Sequence, residues 1–205
     1  MAVHLPLLLG ALLVTTAPPT APTAPTAPTA PTAPTTHTAP PPAATLTVPT
    51  IVPLSDADDT PGVRATFEVD APADVVLDLL WDVSRFKRIF PDIKELTVLA
   101  QSPTGVDVRF EVDAVVAKPT YTLRRSLDVG RGEISWFNIA GDLKRVVGRW
   151  VVRPATNPQR SIVVYESFVD VGIVGISTVY RDIVKGKLDQ MATRVRTAAD
   201  EAMHR

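Results

Sequence analysis

The sequence predicts an α+β domain in which a curved, seven-stranded antiparallel sheet wraps one long carboxy-terminal helix. Three observations carry this. Between residues 62 and 171, seven runs alternate apolar and polar residues with period two, the mark of half-buried strands. Turn clusters separate successive runs: Pro103-Thr104-Gly105, Gly130-Arg131-Gly132 and Pro154 to Pro158. Near residue 178 the period becomes helical and stays so to about 203, with Tyr180, Val184, Leu188, Met191, Val195, Ala198 and Ala202 on one face. That face needs an apolar partner, and only the sheet is large enough.

The domain begins where the composition changes. Residues 1–62 hold 14 of the 20 prolines and no Lys, Arg or aromatic residue. Residues 62–205 are therefore expected to fold as one domain, long enough for a proper core. From residue 63 on, 21 basic residues face 19 acidic ones, a balance of +2. So even a balance argues against nucleic acid as a partner.

Two segments precede the domain. "MAVHLPLLLGALLVTTA" (1–17) has an apolar run from Leu5 to Val14 followed by small residues, the pattern of a secretory signal and too short for an ordinary membrane span. Export to the periplasm or the exterior is expected, with tethering by an uncleaved amino-terminal segment as the alternative. Residues 18–61 contain "APTAPTAPTAPTAPT", whose Pro at every third position suits polyproline II. This segment is expected to be a semi-extended spacer. Its end, "LTVPTIVPL" (46–54), is at best an edge segment of the domain, given its prolines.

Within the domain, "GVRATFEV" (62–69) is the first strand. "DAPADVVLDLLWDV" (70–83) follows as a helix, with Asp70 or Ala71 as cap, Pro72 in the first turn, and Val76, Leu77, Leu80 and Trp81 on its apolar face. A short helical segment, "SRFKRIF", ends at Pro91, which forbids simple continuation. Three hairpins fill residues 95–171, and the apolar, glycine-containing loop "GIVGIS" leads into the last helix.

These residues resemble a known group. "ATFEVDAPADVVLDLLWDVSRFKRIFPDIKELTVL" is similar to the entry of the START-like (SRPBCC) superfamily, which includes polyketide cyclase/aromatase and coenzyme Q-binding START-like proteins. The resemblance rests on Asp70-Ala71-Pro72-Ala73-Asp74-Val75, Asp82 and Phe90-Pro91, with "VGRWVVRP" and "SIVVYESF" as late strands, and spans about residues 63–203. It implies a helix-grip fold, with a deep apolar cavity between sheet and helix for a lipid, quinone or polyketide-like compound. It brings no universal catalytic residue.

Strand parity nominates the lining of such a cavity. Val108, Phe110 and Val112 share one face, as do Tyr121, Leu123, Arg125, Leu127 and Val129. Arg125 is the exception in its row, and an inward charge must be satisfied somehow. With a two-residue turn at Arg131-Gly132, Leu127 faces Trp136 and Arg125 faces Asn138. A three-residue turn instead turns Phe137 inward. Trp150 and Tyr165 fall on the inner faces of the last two strands. Phe86, Phe90 and Ile93 are expected at the cavity rim. Ile173 and Ile176 of the loop, and Tyr180, Val184, Leu188 and Met191 of the last helix, complete the candidate ligand contacts.

Arg125, with Asn138 or Tyr165, is expected to bind a carbonyl or phenolate oxygen of the ligand. The structural alternatives are an arginine reaching to water at the mouth, or one paired with Glu166. The chain has no Cys, and its three His are His4, His37 and His204, all outside the domain body. That excludes a Cys or His nucleophile–base pair and a His- or Cys-based metal site. No cofactor is expected. Binding of a hydrophobic small molecule is favoured over catalysis; the alternative is a cyclase- or dehydratase-like enzyme using Arg125 with Tyr121 or Tyr165 and water. Arg85, Lys87 and Arg88 beside the rim are expected to face water, with transient contact to an anionic membrane as a secondary use.

Overall fold

The computed structural model describes residues 48–113, 118–170 and 177–204, with the backbone alone for 177–185. The predicted signal and most of the predicted spacer therefore lie outside the described residues. Eight strands form one antiparallel sheet: β1 (Thr50–Ser55), β2 (Pro61–Val69), β3 (Ile93–Gln101), β4 (Gly105–Val112), β5 (Thr120–Asp128), β6 (Glu133–Gly141), β7 (Arg145–Pro154) and β8 (Ser161–Asp170). Their order is β1-β2-β8-β7-β6-β5-β4-β3. Consecutive strands are neighbours except β2 and β3; β2 pairs instead with β8, and β1 and β3 are the two edges.

The eighth strand corrects the expected seven. β1 comes from the stretch read as spacer and pairs with β2 from Thr50 opposite Thr66 to Ser55 opposite Pro61. Proline cannot donate to a ladder, so a strand carrying Pro53 is confined to an edge, and β1 is one. The turn behind it is held by Asp56, whose Oδ1 accepts from the Asp58 and Thr60 amides at 3.0 and 2.8 Å.

Three helical pieces and the long last helix cover one face of the sheet. α1 (Ala73–Trp81) buries Val76, Leu77, Leu79 and Leu80. Pro72 occupies the N-cap position itself, in place of the expected Asp70 or Ala71, and supplies no side-chain bond. A 3-10 turn (Val83–Arg85) starts on the Asp82 side chain, which accepts from the Ser84 amide. It runs into α2 (Phe86–Ile89), one helical turn ended before Pro91. α3 spans Ser177–Met203, close to the predicted limits.

The core lies between these helices and the sheet. It joins Ala65, Phe67 and Val69 of β2, Val76 and Leu80 of α1, Val108 and Phe110 of β4, Ile134 of β6, Trp150 of β7, and Leu188, Met191 and Val195 of α3. The helical period of α3 thus delivers the apolar face to the sheet that the sequence required.

Candidate functional site

The helix-covered face of the sheet carries a connected series of aromatic rings. Tyr121 of β5 contacts Phe110 of β4 at 5.7 Å between centroids, and Phe110 stacks on Phe86 of α2 at 6.1 Å. Phe86 meets Phe90 edge-on at 5.6 Å, and Phe90 lies 6.4 Å from Trp150 of β7. Trp150, Trp136 of β6 and Tyr165 of β8 then form a closed triangle with separations of 6.3, 5.8 and 4.6 Å. Each of these distances suits offset or edge-to-face attraction.

A glycine makes the triangle possible. A Cβ at Gly148 of β7 would sit 2.5 Å from the Trp136 ring and 2.4 Å from the Glu166 carbonyl oxygen. Only a residue without a side chain lets the indole lie across β7 towards Tyr165.

Arg125 sits in the midst of these rings and is 1% exposed. Its guanidinium donates to the Leu80 carbonyl at 2.6 Å and the Trp81 carbonyl at 3.1 Å. It also lies over the Phe86 ring at 4.4 Å and the Trp81 ring at 5.1 Å. Among the described residues no carboxylate pairs with it. Its counter-charge is the carboxy end of α1, where unpaired carbonyls concentrate partial negative charge, supplemented by two ring faces. Burial pushes its pKa down to about 9, still high enough to leave a cation at neutral pH.

This geometry corrects both structural alternatives for Arg125: it neither reaches to water nor pairs with Glu166. Glu166 points to the other face, between Arg64 at 2.5 Å and Arg149 at 2.6 Å. The expected side-by-side placement of Arg125 and Asn138 is corrected as well. Four residues, 129–132, connect β5 and β6, so Leu127 faces Ile134, Arg125 faces Trp136 and Leu123 faces Asn138. An even-numbered loop preserves which face each residue takes, so Trp136 and Asn138 stay inward and Phe137 stays outward, but every pairing slides by two. Val129, in that loop, is 67% exposed. Asn138 is occupied locally: it donates to the Leu143 carbonyl at 3.1 Å and accepts from the Val146 amide at 2.8 Å, replacing ladder bonds where β6 and β7 part.

The remaining candidates divide clearly. Val108, Phe110 and Leu123 are buried on the inner face, with Val112 and Tyr121 packed against them. Phe86 is buried, Phe90 half-buried, and Ile93 opens β3 opposite Val112. Leu188 and Met191 are buried on α3. Ile173 and Ile176 lie outside the described residues, as do the side chains of Tyr180 and Val184. Trp81 was missed as a neighbour of Arg125. The available signal was that α1 has no basic residue in its last turn, which leaves its terminal carbonyls to a distant donor.

The other face has a depression of its own, about 390 Å³, bordered by Phe137, Val147, Arg149, Glu166 and Phe168. Trp136 and Gly148 also border it, at the point where the indole crosses β7.

Three solved structures show the same fold. A START superfamily protein from Mycobacterium smegmatis is 17% identical with a TM-score of 0.59, over 68% of this chain and 97% of that one. The protein TTHA0849 from Thermus thermophilus is 22% identical with a TM-score of 0.57, over 69% and 96%. The Zhui aromatase/cyclase from Streptomyces sp. R1128 is 24% identical with a TM-score of 0.56, over 70% and 94%. Among curated protein sequences, none matches this chain significantly. Residues 69–196, from the end of β2 into the buried half of α3, match the family model described as polyketide cyclase/dehydrase and lipid transport, and the chain belongs to that family.

Proposed function

We propose that the protein binds a hydrophobic small molecule, of lipid, quinone or polyketide type, against the ring-lined inner face of the sheet. The observation that carries this is the combination of seven linked aromatic contacts with one buried cation that has no carboxylate partner among the described residues. An apolar lining with few placed polar groups is the usual make-up of a small-molecule site. The guanidinium has five N–H groups, and the two α1 carbonyls engage two of its nitrogens. It therefore retains donors for a ligand oxygen, a carbonyl or a phenolate. The family description covers both catalysis and lipid transport. Binding is the better supported, because the domain body has neither Cys nor His to serve as nucleophile or base.

Native mass spectrometry of the chain purified from its source tests this. Wild type is expected to carry an oxygen-bearing hydrophobe. Arg125→Met, which keeps the bulk and removes the charge, is expected to lose about tenfold or more in affinity for it, as for a charge-assisted hydrogen bond. A wild-type chain that carries no small molecule and takes up no apolar dye overturns the proposal. Retention of the same ligand at equal affinity by Arg125→Met removes the arginine from the site.

A further inference from the structure

α2 and the residues around it have two sides with different jobs. The inner side carries Phe86 and Phe90, which begin the contacts to Phe110 and Trp150. The outer side and the following turn are tied to α3 by polar links. Arg88 pairs with Glu201, Lys187 pairs with Asp92, and Arg194 donates to the Arg88 carbonyl at 3.1 Å. The four charged side chains in the two ion pairs are 40–55% exposed.

The surrounding elements are held differently. Every neighbouring pair of strands from β1 to β3 is joined by a ladder, although β6 and β7 part beyond Phe137. α1 spans nine residues, and Arg125 grips its end. α2 spans four residues. A single turn has almost no intrinsic stability and depends on what holds it in place. It is flanked by a 3-10 turn and by Pro91, so it can move without unwinding a longer helix.

We propose that residues 82–92 form a flap over the aromatic lining, latched to α3 by Arg88–Glu201 and Asp92–Lys187, and that an apolar ligand enters along the α2–α3 seam when the two pairs break. This rests on the ligand-binding proposal above. Exposed pairs are weak one by one and are screened by salt. Such links suit a latch that opens often, whereas the Arg125 grip keeps the hinge end of the flap attached.

The test follows uptake of N-phenyl-1-naphthylamine, an uncharged apolar dye, by stopped-flow fluorescence. In wild type, uptake should accelerate about three- to tenfold between low and high salt. Asp92→Asn/Glu201→Gln should be fast at all salt concentrations, with equilibrium affinity within about twofold of wild type. The chain contains no Cys. A short bismaleimide can therefore join the two thiols of Arg88→Cys/Glu201→Cys and no others, and the joined protein should take up dye at least about tenfold more slowly than the same variant unjoined. Equal uptake by joined and unjoined protein overturns the latch. So does a salt-independent rate in wild type. If wild type binds no dye at any salt concentration, the ligand site falls and the latch falls with it; if it binds dye and ignores both manipulations, the latch alone falls.

Discussion

Arg125 and Arg149 stand on opposite faces of one sheet and show two ways of accommodating a guanidinium. Arg149 lies on the outer face, reaching Glu166 at 2.6 Å and Glu133 at 3.7 Å, with its side chain 46% exposed. Hydrogen bonding to Glu166 raises its pKa. Arg125 is sealed inside against carbonyls and rings, and burial lowers its pKa. Outside, the Arg149 charge is met by opposite charges within reach of water. Inside, the cation is met by dipoles and quadrupoles, which neutralise it less completely than a carboxylate would.

Mutations that act on one face and spare the other sharpen that contrast. The largest effect should come from Trp150→Ala, which empties the centre of the ring cluster. A loss of about 4 kcal/mol is expected, as for other buried large-to-small changes, and calorimetry or urea titration would measure it. Gly148→Ala follows at about 3 kcal/mol, because the new methyl meets both the Trp136 ring and a backbone oxygen that cannot move aside. If Gly148→Ala leaves both the melting temperature and tryptophan fluorescence unchanged, the close packing of Trp136 on β7 is wrong.

Glu166→Gln tests the outer face and should cost about 1–2 kcal/mol at neutral pH, since its arginine partners are half exposed. Burial raises the Glu166 pKa, but hydrogen bonds from Arg149 and Arg64 outweigh that and hold it below the usual carboxylate value. The folded state therefore favours the ionised form. This stabilisation is complete above the unfolded-state pKa and is lost as pH falls through the folded-state value. The stability gap between wild type and Glu166→Gln should accordingly shrink on acidification; a gap that widens contradicts the ion-pair assignment. The smallest effect should be that of Phe137→Ser, an outer-face residue already 47% exposed, at about 0.5 kcal/mol or less. Its dye affinity should equal that of wild type.

Faces were legible in the sequence because strand alternation is strict. Val108, Phe110, Leu123, Trp136, Trp150 and Tyr165 all take the face that parity assigns. Partners across strands were less legible. Loop length between β5 and β6 decides them, and Gly130-Arg131-Gly132 is compatible with several lengths, so the Arg125–Asn138 pairing failed while the facing held. β1 was obscured by its composition, since Thr50–Ser55 continues a proline-rich segment and shows no alternation. Arg125 was conspicuous as a charge in an apolar row, yet its hydrogen-bond partners were invisible because they are backbone atoms.

That last point reaches beyond this molecule's chemistry. The oxygens that receive Arg125 belong to Leu80 and Trp81 only by position; any residues there would present the same two carbonyls in the same place. For these two hydrogen bonds, exchanges at 80 and 81 need no answering exchange at 125, although an exchange at 81 also removes a ring that the guanidinium lies over; Lys at 125, with one compact ammonium in place of a planar fork, could not span both oxygens in the same way. A fastening of this kind is inherited at one end only. Paired substitutions across descendants of the chain would carry no record of it, however tightly it joins β5 to α1.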